Sequence, residues 1–148
     1  MPHQEFATGG LRPFFERFQS LTASDDVEAI AGMYAGSVMI AGPQGAQVVT
    51  STDLQRAIPK RRQLLASVGH QDTALVGFEE SALGDRYALV RAQFRWRFQA
   101  GSGEPVTVTL PSTFIVDRGG DSTRIVFYMN EQDVVSVLRE RGVLPPAS

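Results

Sequence analysis

The chain has no cysteine among its 148 residues. Disulfides, thiolate metal sites and a cysteine nucleophile are therefore excluded. No apolar stretch approaches the ~20 residues of a membrane-spanning helix. The opening MPHQEFATGG lacks a charged region followed by an apolar run, so no leader is expected there and a soluble cytoplasmic protein is. Basic charge is not in excess: 14 Lys and Arg stand against 16 Asp and Glu, a net charge of −2. A nucleic-acid partner is not expected, since such surfaces are normally basic, and neither is a membrane. Of the two histidines, His3 lies in the lead-in and His70 just past Gly69. Neither has a carboxylate or second histidine at ligand spacing, so no metal is expected, and no cofactor. No nucleophile elbow is present, and Ser112 has no histidine base nearby in sequence, which leaves covalent hydrolase chemistry without support.

What is present is organised around Tyr87 to Asn130. It reads YALVRAQFRWRF, a turn, VTVTLPSTFIVD, a second turn, and RIVFYMN, the pattern of three consecutive antiparallel strands. Folding the first hairpin on Gly101, Ser102 and Gly103 pairs Phe98 with Val106, Trp96 with Val108, Phe94 with Leu110, Ala92 with Ser112 and Val90 with Phe114. Strand side chains alternate with period two, so these share one face. The other face carries Arg97 with Thr107, Arg95 with Thr109, Gln93 with Pro111, Arg91 with Thr113 and Leu89 with Ile115. One oily and one mixed face suit an antiparallel sheet covered on one side. A one-residue slip would exchange the two sets, which pins the register.

Before this core the sequence predicts mostly helix. Apolar residues at 11, 14, 15, 18 and 21 keep helical spacing. Asp25 with Glu28 reads as a capping box for a second helix running through Val27, Ile30, Ala31 and Tyr34, closed by Gly36. Val38 to Ile40 and Gln47 to Val49 flank a Gly42-Pro43-Gln44-Gly45 turn. Thr52 with Gln55 reads as the cap of a third helix through Leu54, Ile58, Leu64, Leu65 and Val68, kinked at Pro59 and ended by Gly69. Ala74 to Glu80 is a strand, turned by Leu83-Gly84-Asp85-Arg86. Asn130 caps a last helix with Asp133 in its first turn and Val134, Val135 and Leu138 on its apolar stripe, stopped by Gly142 and Pro145-Pro146. No repeat, linker or low-complexity segment interrupts the chain. The expectation is one α+β domain over 11–144 after a frayed lead-in at 1–10, with helices on one face of a curved sheet. At this length roughly 70% of the unfolded surface can be buried, enough for a full core.

The segments DDVEAIAGMYAGSVMIAGPQG and VVTSTDLQRAI, with the meander ending RIVFYMNEQD, resemble the nuclear transport factor 2-like superfamily, which includes ketosteroid isomerases, SnoaL-like cyclases and scytalone dehydratase. The resemblance spans about Leu11 to Asp133. It implies a cystatin-like cone: a curved antiparallel sheet wrapped on N-terminal helices, with a short C-terminal helix, an apolar cavity, and a dimer through the outer sheet face. It is specific for fold rather than activity. The isomerase branch needs a carboxylate base and two acidic donors. Aligning the MYA tripeptide and the Pro-x-Gly turn puts the base at Gly42, the donor tyrosine at Phe18 and the donor acid at Ser112. Only Tyr34, matching an accessory tyrosine, is retained, so isomerisation by that mechanism is excluded.

The same alignment turns the oily face inward and makes Ser112, Tyr128 and Asn130 cavity positions. Two readings follow. Ser112 and Tyr128 bond within the protein as buried polar groups do, or Tyr34, Ser112, Tyr128 and Asn130 orient a small apolar or aromatic ligand, with Trp96 stacking it. The row of Phe94, Trp96 and Phe98 also serves as plain core. Arg91, Arg95 and Arg97 are expected on the outer face, and Arg56, Lys60, Arg61 and Arg62 on the solvated side of the third helix. Leu89, Ile115 and Phe127 would leave an outer apolar patch, suited to a homodimer. Three functions remain open: a small-molecule-binding protein; a cyclase, dehydratase or isomerase type of enzyme; or a dimeric interaction module whose cone is filled. The absence of inward Asp, Glu or His on the strands favours the first and third.

Overall fold

The computed structural model describes residues 10–24, 26–99, 103–120 and 122–142. Helices α1 (Arg12–Thr22) and α2 (Val27–Ala31) lead into the hairpin β1 (Tyr34–Gly42) and β2 (Gly45–Thr50). Helix α3 (Ser51–Ser67) follows, then the meander β3 (His70–Leu83), β4 (Tyr87–Phe98), β5 (Val106–Asp117) and β6 (Arg124–Asn130), and finally α4 (Val134–Glu140). All the strands belong to one six-stranded sheet in the order β2-β1-β6-β5-β4-β3. It is antiparallel except where β1 runs parallel to β6. This is the expected α+β architecture, with N-terminal helices, a curved sheet and a short closing helix.

The β4–β5 register is the one that the alternation predicts, from Phe98 opposite Val106 to Leu89 opposite Ile115. Gly101 and Ser102 of its turn lie outside the described residues. Ala88, Val90, Ala92, Phe94 and Phe98 are buried, as are Val108, Leu110, Phe114 and Val116 opposite them. The arginines point the other way. Arg91 donates to Glu131 at 2.8 Å and Arg97 binds Asp72, its partner across β3 and β4.

The core has two lobes. Phe15 and Phe18 of α1 pack with Tyr34, Phe94 and Phe114 in the larger one. Ring centroids are 4.7 Å apart for Phe15 and Phe114 and 5.7 Å for Phe18 and Phe114. The smaller lobe places Val134, Val135 and Leu138 of α4 on Phe98, Val108 and Leu110, with Leu65 and Val68 beside them. Trp96 packs against both lobes.

Several local expectations give way to tertiary pairing. The second helix stops at Ala31, and Tyr34 opens β1, opposite Ile125. Pairing of Tyr34 with Ile125 of β6 and of Ser37 with Thr50 of β2 holds this stretch extended, which a helix-period reading of Val27 to Tyr34 does not anticipate. The helix caps also move. Asp25 lies outside the described residues, and Asp26 is the N-cap of α2, accepting from the Ala29 N–H at 3.0 Å. In α3 the capping box is Thr50 with Asp53, not Thr52 with Gln55. Asp133, not Asn130, caps α4 by accepting from the Ser136 N–H. Helix α3 runs unbroken through Pro59, with Leu54 and Ile58 half-buried, Leu65 buried and Leu64 exposed. Pro145 and Pro146 lie outside the described residues.

Candidate functional site at the mouth of the cone

Aromatic side chains fill the cone where an apolar cavity was expected. Phe15 is fully buried, and Phe114 stacks on Tyr128 with centroids 4.8 Å apart. A void of about 10 Å³ lies at the mouth, lined by Trp96, Leu110, Ser112, Tyr128, Asn130 and Val134 with Arg61 and Gln132. That is room for about one water-sized atom.

The polar side of this void is built on adjacent strands. Ser112 of β5 lies directly opposite Asn130 of β6, and Phe114 opposite Tyr128. Alternation therefore turns Ser112, Tyr128 and Asn130 to the same inner face. Ser112 is 5% exposed and is the one polar residue in the buried core among the described residues. Its hydroxyl donates to Asn130 Oδ1 at 2.7 Å, and Asn130 Nδ2 donates to the Tyr128 oxygen at 3.1 Å. A buried hydroxyl left unpaired would cost about 1–3 kcal/mol, so this chain of bonds is what makes Ser112 tolerable amid aromatics.

Arg61 contributes the site's charge. The sequence places it with Arg56, Lys60 and Arg62 on the solvated side of the third helix, and Arg61 is exposed there. Its backbone is on that exposed face, but the side chain reaches the void, as the long stem of arginine permits. Its guanidinium lies 3.8 Å from Asp133, with both side chains more than a third exposed. Nothing in the helical spacing distinguishes Arg61 from its neighbours, and Gln132 likewise carried no signal.

Tyr34 is not among the lining residues. It sits in the larger lobe with its ring 6.0 Å from Phe18, and is 7% exposed. No hydrogen bond from its hydroxyl is found among the described residues. Burial, and secondarily the proximity of Tyr128, pushes its pKa far above the ordinary phenol value, while Arg61 pulls weakly the other way. Tyr34 is thus a neutral donor at neutral pH and no base. Trp96, expected to be poorly accessible, is half-buried at the rim, stacked parallel to Phe98. His70 packs on Trp96 and Phe98, with Nε2 2.8 Å from Thr73 Oγ1. Desolvation lowers its pKa.

The position aligned with the isomerase base is Gly42, the last residue of β1. A side chain built there would start 4.0 Å from the Asn130 carbonyl oxygen, at the edge of the mouth. Glycine provides no group to take a proton. No group of three or more His, Cys, Asp or Glu able to hold a metal is found among the described residues. No helix among them is long and apolar enough to cross a membrane.

Neither protein-family models nor curated proteins match the sequence. Solved structures do match in shape. The chain has a cystatin-like fold, shared with an NTF2-like protein from Novosphingobium aromaticivorans at TM-score 0.69 and 16% identity, covering 97% of this chain and 90% of that one. More narrowly, the fold is that of the nuclear transport factor 2-like proteins. A ketosteroid isomerase-like protein from Erwinia carotovora atroseptica matches at TM-score 0.65 and 15% identity over 86% of this chain and 95% of the other. The β subunit of benzoate 1,2-dioxygenase from Burkholderia mallei matches at 0.65 and 14%, over 86% and 91%. At these identities the likeness is one of fold. The same fold thus occurs in a protein named for its likeness to an isomerase and in a subunit of an oxygenase.

Proposed function

We propose that this protein binds a small molecule whose polar end enters the mouth of the cone, and that it does so without turnover. The observation that carries the reading is the hydrogen-bonded chain Ser112–Asn130–Tyr128, which ends at a void in an otherwise apolar interior. Convergent polar groups beside apolar side chains occur at small-molecule sites, and here five polar residues meet Trp96, Leu110 and Val134. The small volume moves the ligand's body out of the filled cone and toward Trp96, Leu110 and Val134 at the rim. The lining carries no carboxylate or imidazole to serve as a base. Binding is therefore favoured over cyclase, dehydratase or isomerase chemistry.

Native mass spectrometry of the purified protein, with extraction of bound small molecules, tests the reading. Ser112→Val and Tyr128→Phe should each lose the bound species while circular dichroism stays that of the wild type. Retention of the same molecule by both variants would refute the site.

A second reading is supported by the outer face. Val48, Met39, Phe127, Ile115 and Leu89 are successive cross-strand partners over β2, β1, β6, β5 and β4. Met39 is 41% and Val48 63% exposed. A continuous apolar row of this kind, rimmed by the Arg91–Glu131 pair, suits a homodimer formed sheet to sheet. The filled cone suits an interaction role as well, and the two readings are compatible.

A further inference from the structure

We infer that the mouth site selects ligands bearing a carboxylate or an equivalent oxyanion on an apolar body, with Arg61 and the Tyr128 hydroxyl as its receptors. The inference rests on the small-molecule reading of this site and names the chemistry of its ligand.

The direction of the hydrogen bonds leads there. Ser112 donates to Asn130, and Asn130 donates to Tyr128. A phenol oxygen that accepts still holds its own proton to give. Asn130 gives one of its two amide N–H groups to Tyr128, so what the chain offers to the void is the Tyr128 O–H and the second Asn130 N–H. Arg61 has donors and no acceptor. Deeper in, Tyr34, a residue 7% exposed, is a neutral donor whose hydroxyl has no partner found among the described residues and lies within electrostatic reach of Tyr128 and Arg61. Gln132, like the amide of Asn130 and the hydroxyls of Ser112 and Tyr128, can act either way. The lining carries a single formal charge, that of Arg61, and it is positive.

An acceptor of about one atom's size fits the roughly 10 Å³ available. A carboxylate oxygen is such an acceptor, and charge-assisted bonds to Arg and Tyr are about twice as strong as neutral ones. The carboxylate of Asp133 holds Arg61 at 3.8 Å, a long separation between partners that are 43% and 38% exposed. An exposed pair of this kind contributes little and is easily exchanged for a ligand carboxylate. Asp133 already caps α4 through Ser136, so it keeps a role when Arg61 turns to the ligand. Leu110, Val134 and the half-buried face of Trp96 then meet the apolar body.

Trp96 is the only tryptophan of the chain and lines the void, so its fluorescence reports occupancy. The probes are phenylacetate and its neutral analogue phenylacetamide, titrated at neutral pH and low salt into wild type, Arg61→Gln, Arg61→Lys and Tyr128→Phe. The expected result is about tenfold tighter binding of the acid than of the amide, from the difference between charged and neutral hydrogen bonds. Arg61→Gln should erase that preference, Arg61→Lys should keep part of it, and Tyr128→Phe should weaken both probes. Arg61 is exposed on its helix, so the fold survives its replacement. Equal affinity for acid and amide, or a preference that survives Arg61→Gln, would overturn acid selection while leaving a small-molecule site in place. No response of Trp96 to either probe at millimolar concentration would overturn both.

Discussion

Ser112 lies between two outcomes at the scale of a single residue. Its hydroxyl is buried among phenylalanines, yet it is bonded to Asn130, itself bonded to Tyr128. Replacing it with valine leaves the Asn130 carbonyl short of a donor. A loss of about 1–3 kcal/mol in urea-denaturation stability is expected, which the fold survives. The aromatic plug costs more to remove. Phe15 is fully buried against Phe78, Phe18 and Phe114, and Phe15→Ala should destabilise by about 3–5 kcal/mol, read as a lower urea midpoint. That variant also opens the cone, so an apolar dye that ignores the wild type should bind it. His70 sets a pH dependence. Its folded pKa lies below its ordinary 6.5 because of desolvation, so the unfolded chain binds the proton more readily. Stability is then full above about pH 6.5 and falls as the pH drops through the window down to the folded pKa. Thermal unfolding between about pH 7.5 and 5 should show this decline, and His70→Gln should flatten it; identical slopes would exclude His70 as the source.

At the scale of elements, alternation and caps behave differently. The β4–β5 hairpin is legible in sequence because every inward residue of one strand meets an apolar or small partner on the other, and a slip would bury Arg91, Arg95 and Arg97. Helix ends are less legible, since several Asp, Thr and Ser residues stand within three positions of the starts of α2 and α3 and spacing alone does not choose among them. Thr50 and Asp53 bond each other's backbone N–H at 3.2 and 2.9 Å, so Thr50 is the cap that matters for α3. The Asp53 carboxyl is held below the ordinary range by the backbone N–H of Thr50. Thr50→Ala should cost about 1 kcal/mol, whereas Thr52→Ala should be close to silent. Equal effects of the two in chemical denaturation would contradict this capping arrangement. The extension of β1 back to Tyr34 depends on β6, some 90 residues later, and no window around Tyr34 contains that information.

At the scale of the whole molecule the outer sheet face is the surface proposed for association. Its apolar row crosses five strands and is continuous because Phe127 lies opposite Ile115 on one side and Met39 on the other. Light scattering at micromolar concentration should give twice the 16.1 kDa of one chain. Ile115→Arg, placed in the middle of the row, should return the monomer mass with the fold retained. A monomeric wild type would dispose of the dimer.

The amino-acid sequence by itself determined the two faces and the pairing of the meander's first hairpin and the helical cover, while the inward placement of Ser112, Tyr128 and Asn130 was what the family resemblance implied. Period-two alternation and turn residues are local, and they specify which side chains share a surface. Tertiary structure alone decided how much space that surface encloses and who completes the site. Whether a cone is hollow depends on how phenylalanines from α1 and β5 interlock across it, and whether Arg61 points to solvent or to the mouth depends on where Asp133 and Tyr128 come to rest. Both are distances between elements far apart in the chain, which no local spacing encodes.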